Sequence, residues 1–293
     1  MTQAVSSRRV VRIGVVQSVC SDDRRSNIAQ AIAGVTDAAD DGADVICLQE
    51  LFASQYPCQS EDHASFALAD PIPGMLTDQL SETAKKHNVV IVGNVFERRA
   101  PGLFHNTVVI FDSDGALAGT YRKMHIPDDP HYYEKFYFSP GDNGFISVPT
   151  KPLVVGPLVC WDQWYPEAAR LTAMAGAEVL FYPTAIGWLD GEEALHREQY
   201  ESWDVMLRSH AIANGVFVVA VNRAGREGSL RFWGASVAYA PNGKKLFQAD
   251  HDLPQTHVFE CDLTHIEWSR TRWPFFRDRR IESYGDLLKR WGG

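Results

Sequence analysis

The chain has 293 residues, of which 45% are hydrophobic and 22% charged, with a formal net charge of -9. Such a mix describes a globular protein long enough for a large core, and its acidity argues against nucleic acid as a partner. Five cysteines, Cys20, Cys47, Cys58, Cys160 and Cys261, are odd in number and scattered, which argues against a disulfide framework and sets a reducing cytoplasm as the expected compartment.

The first element is the strand VVRIGVVQ, Val10 to Gln17. It lacks the features of a secretory leader, and no apolar run reaches the length of a membrane span. Ile28, Ile32, Val35 and Ala39 recur at helical spacing up to Gly42. ADVICLQE is an almost wholly apolar strand, as expected where both sheet faces are covered. A helix follows from Pro73 and Gly74 to Asn88, then the buried strand VVIVGNVFE. FHNTVVIFDSDGALAGTYRK reads as a hairpin about Asp114-Gly115. GFISVPT and PLVVGPLVC form a second antiparallel pair. PEAARLTAMAGA is a helix with Pro166 near its first position, followed by the strand EVLFYPT. A long helix from about Glu193 to Asn214, the strand VFVVAVN and a hairpin FWGASVAYAPNGKKLFQA turning on Asn242-Gly243 complete the pattern.

The two halves run in similar order, and no linker or low-complexity tract divides them. The pattern fits one α/β domain over about residues 10–270, with two packed sheets and helices on the outer faces. Residues 271–293 form a polar and aromatic tail, placed either on its own domain or over a neighbouring subunit.

Four residues carry candidate chemistry. Cys160 stands where an apolar strand ends and a helix is about to begin, a position where backbone N–H groups favour a thiolate. A lone cysteine is more often a small buried hydrophobe. Glu50 closes the strand VICLQE; a carboxylate there is costly unless partnered or used, and it could serve a thiol as general base, although taken singly it reads as a surface glutamate just past the strand end. Lys123 follows GTYR as a compact charge suited to an oxyanion, although alone it reads as a solvated lysine. Glu134 lies among aromatics in DDPHYYEKFYFSPGD, with Lys135 as its nearest alternative partner. Histidines for a papain-like pair sit in no supporting motif, no Cys/His pair has zinc spacing, and neither G-x-S-x-G nor a P-loop occurs. No cofactor and no metal is indicated.

The segments LQELF, YRKMHIP, EKFYFSPGD and CWDQWYPEAARLTAMAGAEVLFYPTAIG together resemble the nitrilase superfamily of carbon–nitrogen hydrolases, over about residues 10 to 280. The longer motifs, with WPFFRDRR, are most similar to its N-carbamoylputrescine amidohydrolase branch. The resemblance implies a four-layer α-β-β-α sandwich that pairs through its helices into dimers or larger homo-oligomers. It implies Glu50 as general base, Lys123 as stabiliser of the tetrahedral intermediate, Cys160 as nucleophile and Glu134 as the second, orienting glutamate.

In the related carbamoyl-amino-acid hydrolases two arginines hold the substrate carboxylate; here the same places read Gln163 and Trp164. Tyr132, Trp161, Trp164 and Trp188 are the candidate walls of a slot for an aliphatic amine. After YPTAIG, where many relatives carry Ser-Glu-Pro, this chain has Trp188-Leu189-Asp190 and then Glu192 and Glu193. Asp190 or Glu192 is the expected partner of a substrate ammonium. An aliphatic amidase, an N-carbamoyl-β-amino-acid hydrolase and a catalytically silent scaffold are the alternatives.

Overall fold

The computed structural model describes residues 8–292, apart from the side chains of residues 193–196. Among the described residues no helix is long and apolar enough to cross a membrane.

Two six-stranded sheets face one another. The first has the order β15-β1-β2-β3-β4-β5, built from β1 (Val10–Gln17), β2 (Val45–Leu48), β3 (Val90–Ala100), β4 (Leu103–Phe111), β5 (Leu117–Arg122) and β15 (Gln255–Asp262). The second has the order β14-β13-β10-β8-β7-β6, from β6 (Val148–Pro149), β7 (Val154–Pro157), β8 (Val179–Thr184), β10 (Phe217–Asn222), β13 (Val237–Tyr239) and β14 (Lys245–Gln248). In each sheet the central three strands are parallel, β1, β2 and β3 in one and β7, β8 and β10 in the other, with antiparallel strands at the margins.

The near-continuous apolar runs are explained by alternation. Val45 and Cys47, Val90 and Val92, and Val108 and Ile110 point into the core between the sheets. Their neighbours Ile46, Leu48, Ile91 and Val109 point the other way, into a second cluster beneath the helices. α1 (Arg24–Asp40) covers β1 and β2, and α2 (Met75–His87) covers β3 and β4. On the far face α4 (Pro166–Met174) and α5 (Glu193–Asn214), which follow the short α3 (Glu134–Tyr137), cover β7, β8 and β10. The result is a four-layer α-β-β-α sandwich. α1 lies close to its sheet because Gly34 has no side chain: a Cβ there would come within 2.5 Å of Val16 Cγ1.

The structure adds elements that the periodicity missed. β9 (Gly187–Leu189), β11 (Ala224–Glu227) and β12 (Leu230–Trp233) form a separate three-stranded sheet. The expected hairpin from Phe232 therefore begins later: Phe232 and Trp233 belong to β12, and only β13 and β14 form the hairpin. β15 runs antiparallel to β1 and closes the first sheet, and α6 (Thr264–Arg272) follows it. Buried residues are sparse in both, Phe259 and Cys261 in β15 and Ile266 and Ser269 in α6, so neither gives a strong apolar period.

Candidate active site

The carboxyl ends of parallel strands leave a crevice in sheets of this type, and here they do so from both sheets. Glu50 lies two residues beyond β2, and Lys123 one residue beyond β5. Cys160 begins a 3-10 turn, Cys160–Trp164, three residues beyond β7, and Glu134 opens α3. All four side chains are buried.

Lys123 Nζ is the centre. It donates to Glu50 Oε1 at 2.9 Å and to Glu134 Oε1 and Oε2 at 2.9 and 2.7 Å. The partner of Glu134 is thus Lys123 rather than Lys135. A buried ammonium bonded by two carboxylates satisfies the requirement that buried charges be paired. Burial alone would lower the Lys123 pKa, but the charges of Glu134 and Glu50 outweigh it and hold the group well above the usual lysine range. Burial pushes Glu134 up to about 7, with Lys123 opposing and Glu50 adding.

Neutral groups fix the acids. Asn106 Nδ2 donates to Glu50 Oε1 at 2.7 Å, and Asn94 Nδ2 to Asn106 Oδ1 at 2.7 Å. Asn94 Oδ1 in turn accepts the Leu51 N–H at 2.8 Å. Tyr56 Oη donates to Glu134 Oε1 at 2.7 Å. Glu50 Oε2 has no hydrogen-bond partner among the described residues. A buried acceptor left open costs about 1–3 kcal/mol, so this oxygen is a place for a proton that arrives with chemistry.

Cys160 has φ +35°, in the left-handed region that few side chains tolerate. The turn is held by Asp162, whose carboxylate accepts from Val159 N at 3.0 Å, Tyr121 Oη at 2.8 Å and His125 Nδ1 at 2.8 Å. His125 stacks on Tyr165, the rings 3.6 Å apart and 3° from parallel. Because His125 lies two residues after Lys123, this bond ties the lysine segment to the cysteine turn. Burial, reinforced by the charge of Glu50 and opposed by Lys123, holds the Cys160 thiol well above its usual pKa. The thiol is therefore protonated at neutral pH, and its use as a nucleophile requires a base beside it.

Above the thiol lies a cavity of about 160 Å3. Pro127, Tyr132, Trp161, Ile186 and Leu189 supply apolar wall, while Asp129, Glu192 and Gln199 supply polar groups. Tyr132 is fixed by the Gly187 N–H, which donates to its Oη at 3.0 Å. Of the expected binding residues, Tyr132, Trp161 and Glu192 are brought to this cavity. Trp164 instead packs against the core and lies edge-on to Trp161 at 6.4 Å. Trp188 and Asp190 face a separate depression, where Asp190 pairs with Arg226 at 2.5 Å. Side chains alternate along β9, so Leu189 enters the cavity and Trp188 faces away. The Glu193 side chain lies outside the described residues. Gln163 is buried, its Oε1 accepting the Trp203 Nε1–H at 2.7 Å.

Asn94, Asn106, Tyr56 and Asp129 were not anticipated. The first two had a signal: an amide inside an apolar strand is costly without a partner. Asp129 had none beyond its place near Glu134.

Comparison with known proteins identifies the family and the fold. The sequence profile described as carbon-nitrogen hydrolase matches residues 12–270. The N-carbamoylputrescine amidase of Arabidopsis thaliana is 41% identical over 290 residues, 96% of each chain. The citrullinase of Francisella tularensis is 36% identical over 96% of this chain and 99% of its own. A crystal structure of a carbon-nitrogen hydrolase from Helicobacter pylori G27 superposes with TM-score 0.94 at 41% identity, covering 97% of this chain and 100% of that one. By fold, by sequence and by the extent of the match, the chain belongs to the carbon–nitrogen hydrolase family.

Proposed function

We propose that the protein hydrolyses N-carbamoyl amines whose far end is cationic, N-carbamoylputrescine foremost, to the free amine, ammonia and carbon dioxide. Glu50 takes the Cys160 proton as sulfur attacks the ureido carbon. Lys123 and the Trp161 backbone N–H face the oxygen as its charge grows. The Glu50 proton passes to the departing nitrogen, and ammonia leaves an S-carbamoyl enzyme. Water, deprotonated by Glu50, attacks the same carbon and restores the thiol. The carbamic acid released decomposes to amine and carbon dioxide. Glu134 and Tyr56 keep Lys123 in place throughout.

The observation that carries the substrate choice is the charge of the cavity. Its lining includes Asp129 and Glu192 and, among the described residues, no arginine or lysine. A substrate carboxylate meets no cation there, whereas an ammonium meets acids and the faces of Tyr132 and Trp161. The citrullinase relative favours a second reading, a ureido amino acid, whose carboxylate this lining disfavours. The test is ammonia release from N-carbamoylputrescine, citrulline, N-carbamoyl-β-alanine and N-butylurea at equal concentration. Preference for either carboxylate-bearing substrate overturns the cationic reading; preference for N-butylurea marks a general amidase.

Asp129→Asn should lower kcat/KM for N-carbamoylputrescine relative to N-butylurea. Because Asp129 is exposed, the contact is worth only about two- to fivefold. Glu192→Gln should act in the same direction. Asp190→Asn should leave the ratio unchanged, since Asp190 faces the neighbouring depression.

The same reading includes self-association and a cytoplasmic site of action. Leu171, Met174 and Val205 on the outer helices are exposed, as are Leu287, Leu288 and Trp291 in the tail. Apolar surface of this kind is normally covered by a partner, and a homodimer or larger assembly would cover it. Light scattering that gives a monomer mass at micromolar concentration would remove this part. The five free cysteines suit a reducing compartment.

A further inference from the structure

A second buried ion pair lies behind the candidate acids. Arg223, just beyond β10, and Glu227, at the end of β11, are both fully buried, with Arg223 Nη1 donating to Glu227 Oε1 at 2.6 Å. The pair reaches across from the second sheet to the segment 50–56 that leaves the first. Arg223 Nη2 donates to the carbonyl oxygens of Glu50 at 3.0 Å and Leu51 at 2.9 Å. Its Nη1 also donates to the Ser54 carbonyl at 2.9 Å. Glu227 Oε2 accepts the Tyr56 N–H at 2.6 Å.

The segment so held needs holding. Leu51 has φ +48°, a left-handed conformation that is unfavourable for a leucine and persists only where its surroundings impose it. Each end of the segment carries a group of the site. Glu50 is at one end, and at the other Tyr56 donates to Glu134 Oε1. A planar guanidinium with a fixed fork can bind three carbonyls and a carboxylate at once; an ammonium cannot reproduce that geometry.

We infer that Arg223 and Glu227 are positioning residues for the hydrolytic reaction, setting Glu50 through its own carbonyl and Glu134 through Tyr56. The pair touches no substrate. It acts by keeping Glu50 and Tyr56, at opposite ends of one segment, and through Tyr56 the Glu134 carboxylate, in register with Lys123 and Cys160. This inference rests on the reading of Glu50 as the general base. Misplacing a reacting group by about 1 Å costs on the order of 100-fold in rate, whereas substrate affinity is set by cavity walls that the pair does not form.

The test uses Arg223→Lys, which retains the charge but not the fork, and Glu227→Gln, which retains an acceptor for Tyr56 N. Active sites are counted by stoichiometric alkylation of Cys160, and kcat is expressed per alkylatable Cys160 thiol, so that loss of folded enzyme does not count as loss of rate. The expected result for Arg223→Lys is a fall of about 10- to 100-fold in kcat per site, with KM within about threefold of wild type. Glu227→Gln should fall in the same sense by about tenfold. If kcat per site stays at the wild-type value in both variants, and only melting temperature or the number of sites falls, the pair is structural and the inference is overturned. Glu50→Gln is measured alongside. If that variant still turns over substrate, the general-base reading has failed; if it is inactive while Arg223→Lys and Glu227→Gln run at full rate per site, only the positioning role has failed.

Discussion

Cys160→Ala should abolish ammonia release, a loss on the order of 10^4- to 10^6-fold, if Cys160 is the nucleophile of the proposed covalent mechanism. The protein stays folded. The change removes one buried sulfur atom, worth about 1 kcal/mol, which moves the melting temperature of a chain of this size by about 2–4 °C. Alanine keeps a Cβ, so the backbone conformation at φ +35° is neither relieved nor made worse. Alanine at Cys20, Cys47, Cys58 or Cys261 does not have this effect, although all four are buried as well. Burial raises the pKa of each of these thiols. What separates Cys160 is that, of the five, it lines the cavity beside the charged cluster. Iodoacetamide should therefore label Cys160 first, and Glu50→Gln should slow that labelling. Substantial turnover in a clean Cys160→Ala preparation would end the S-carbamoyl mechanism.

Lys123→Arg should lower kcat by about 10^2- to 10^3-fold, the cost of removing one well-placed donor to the developing oxyanion of the proposed mechanism. The charge is retained, so the loss measures position rather than charge. Lys123 makes three short bonds to two carboxylates in a fully buried space. A guanidinium is wider and planar, and it displaces Glu50 or Glu134 when it enters that space. Lys123→Met is a poorer experiment: it leaves two carboxylates buried without a cation and destabilises the fold by about 3–5 kcal/mol. Steady-state kinetics on Lys123→Arg, with circular dichroism to verify folding, is the measurement. Near-normal kcat would return Lys123 to a purely structural role.

How much of this was legible in the sequence depended on cost. Glu50 draws attention because a charge at the end of an apolar strand needs a reason, and Cys160 because it sits past the end of one; Lys123, after the polar strand GTYR, is marked only by its motif YRKMHIP. The sheets were legible because strands covered on both faces are apolar at every position, as in VICL of β2. The three-stranded sheet was not, since its strands are three or four residues long and carry no period. The placement of Trp188 and Asp190 followed from β9: without that strand, alternation cannot assign Leu189 to the cavity and Trp188 to the far side. Tyr56 and Asp129 reach the candidate site only when distant segments meet. Arg223 carried the same signal as Glu50, a charge closing the buried run FVVAVN, but no motif drew attention to it.

The candidate chemistry is divided between the sheets. Glu50 and Lys123 leave the first, Cys160 leaves the second, and Glu134 lies on the connection between them. Neither half of the chain holds a working fragment of the reaction, so turnover reports on the seating of one half against the other. A nick in the connection that spares the packing should leave a two-piece enzyme that still turns over, whereas either piece alone should be inert. Mixing the separated pieces and following the return of ammonia release would time the docking of the sheets together with the pairing of β15 onto β1, with no label and no probe other than the substrate.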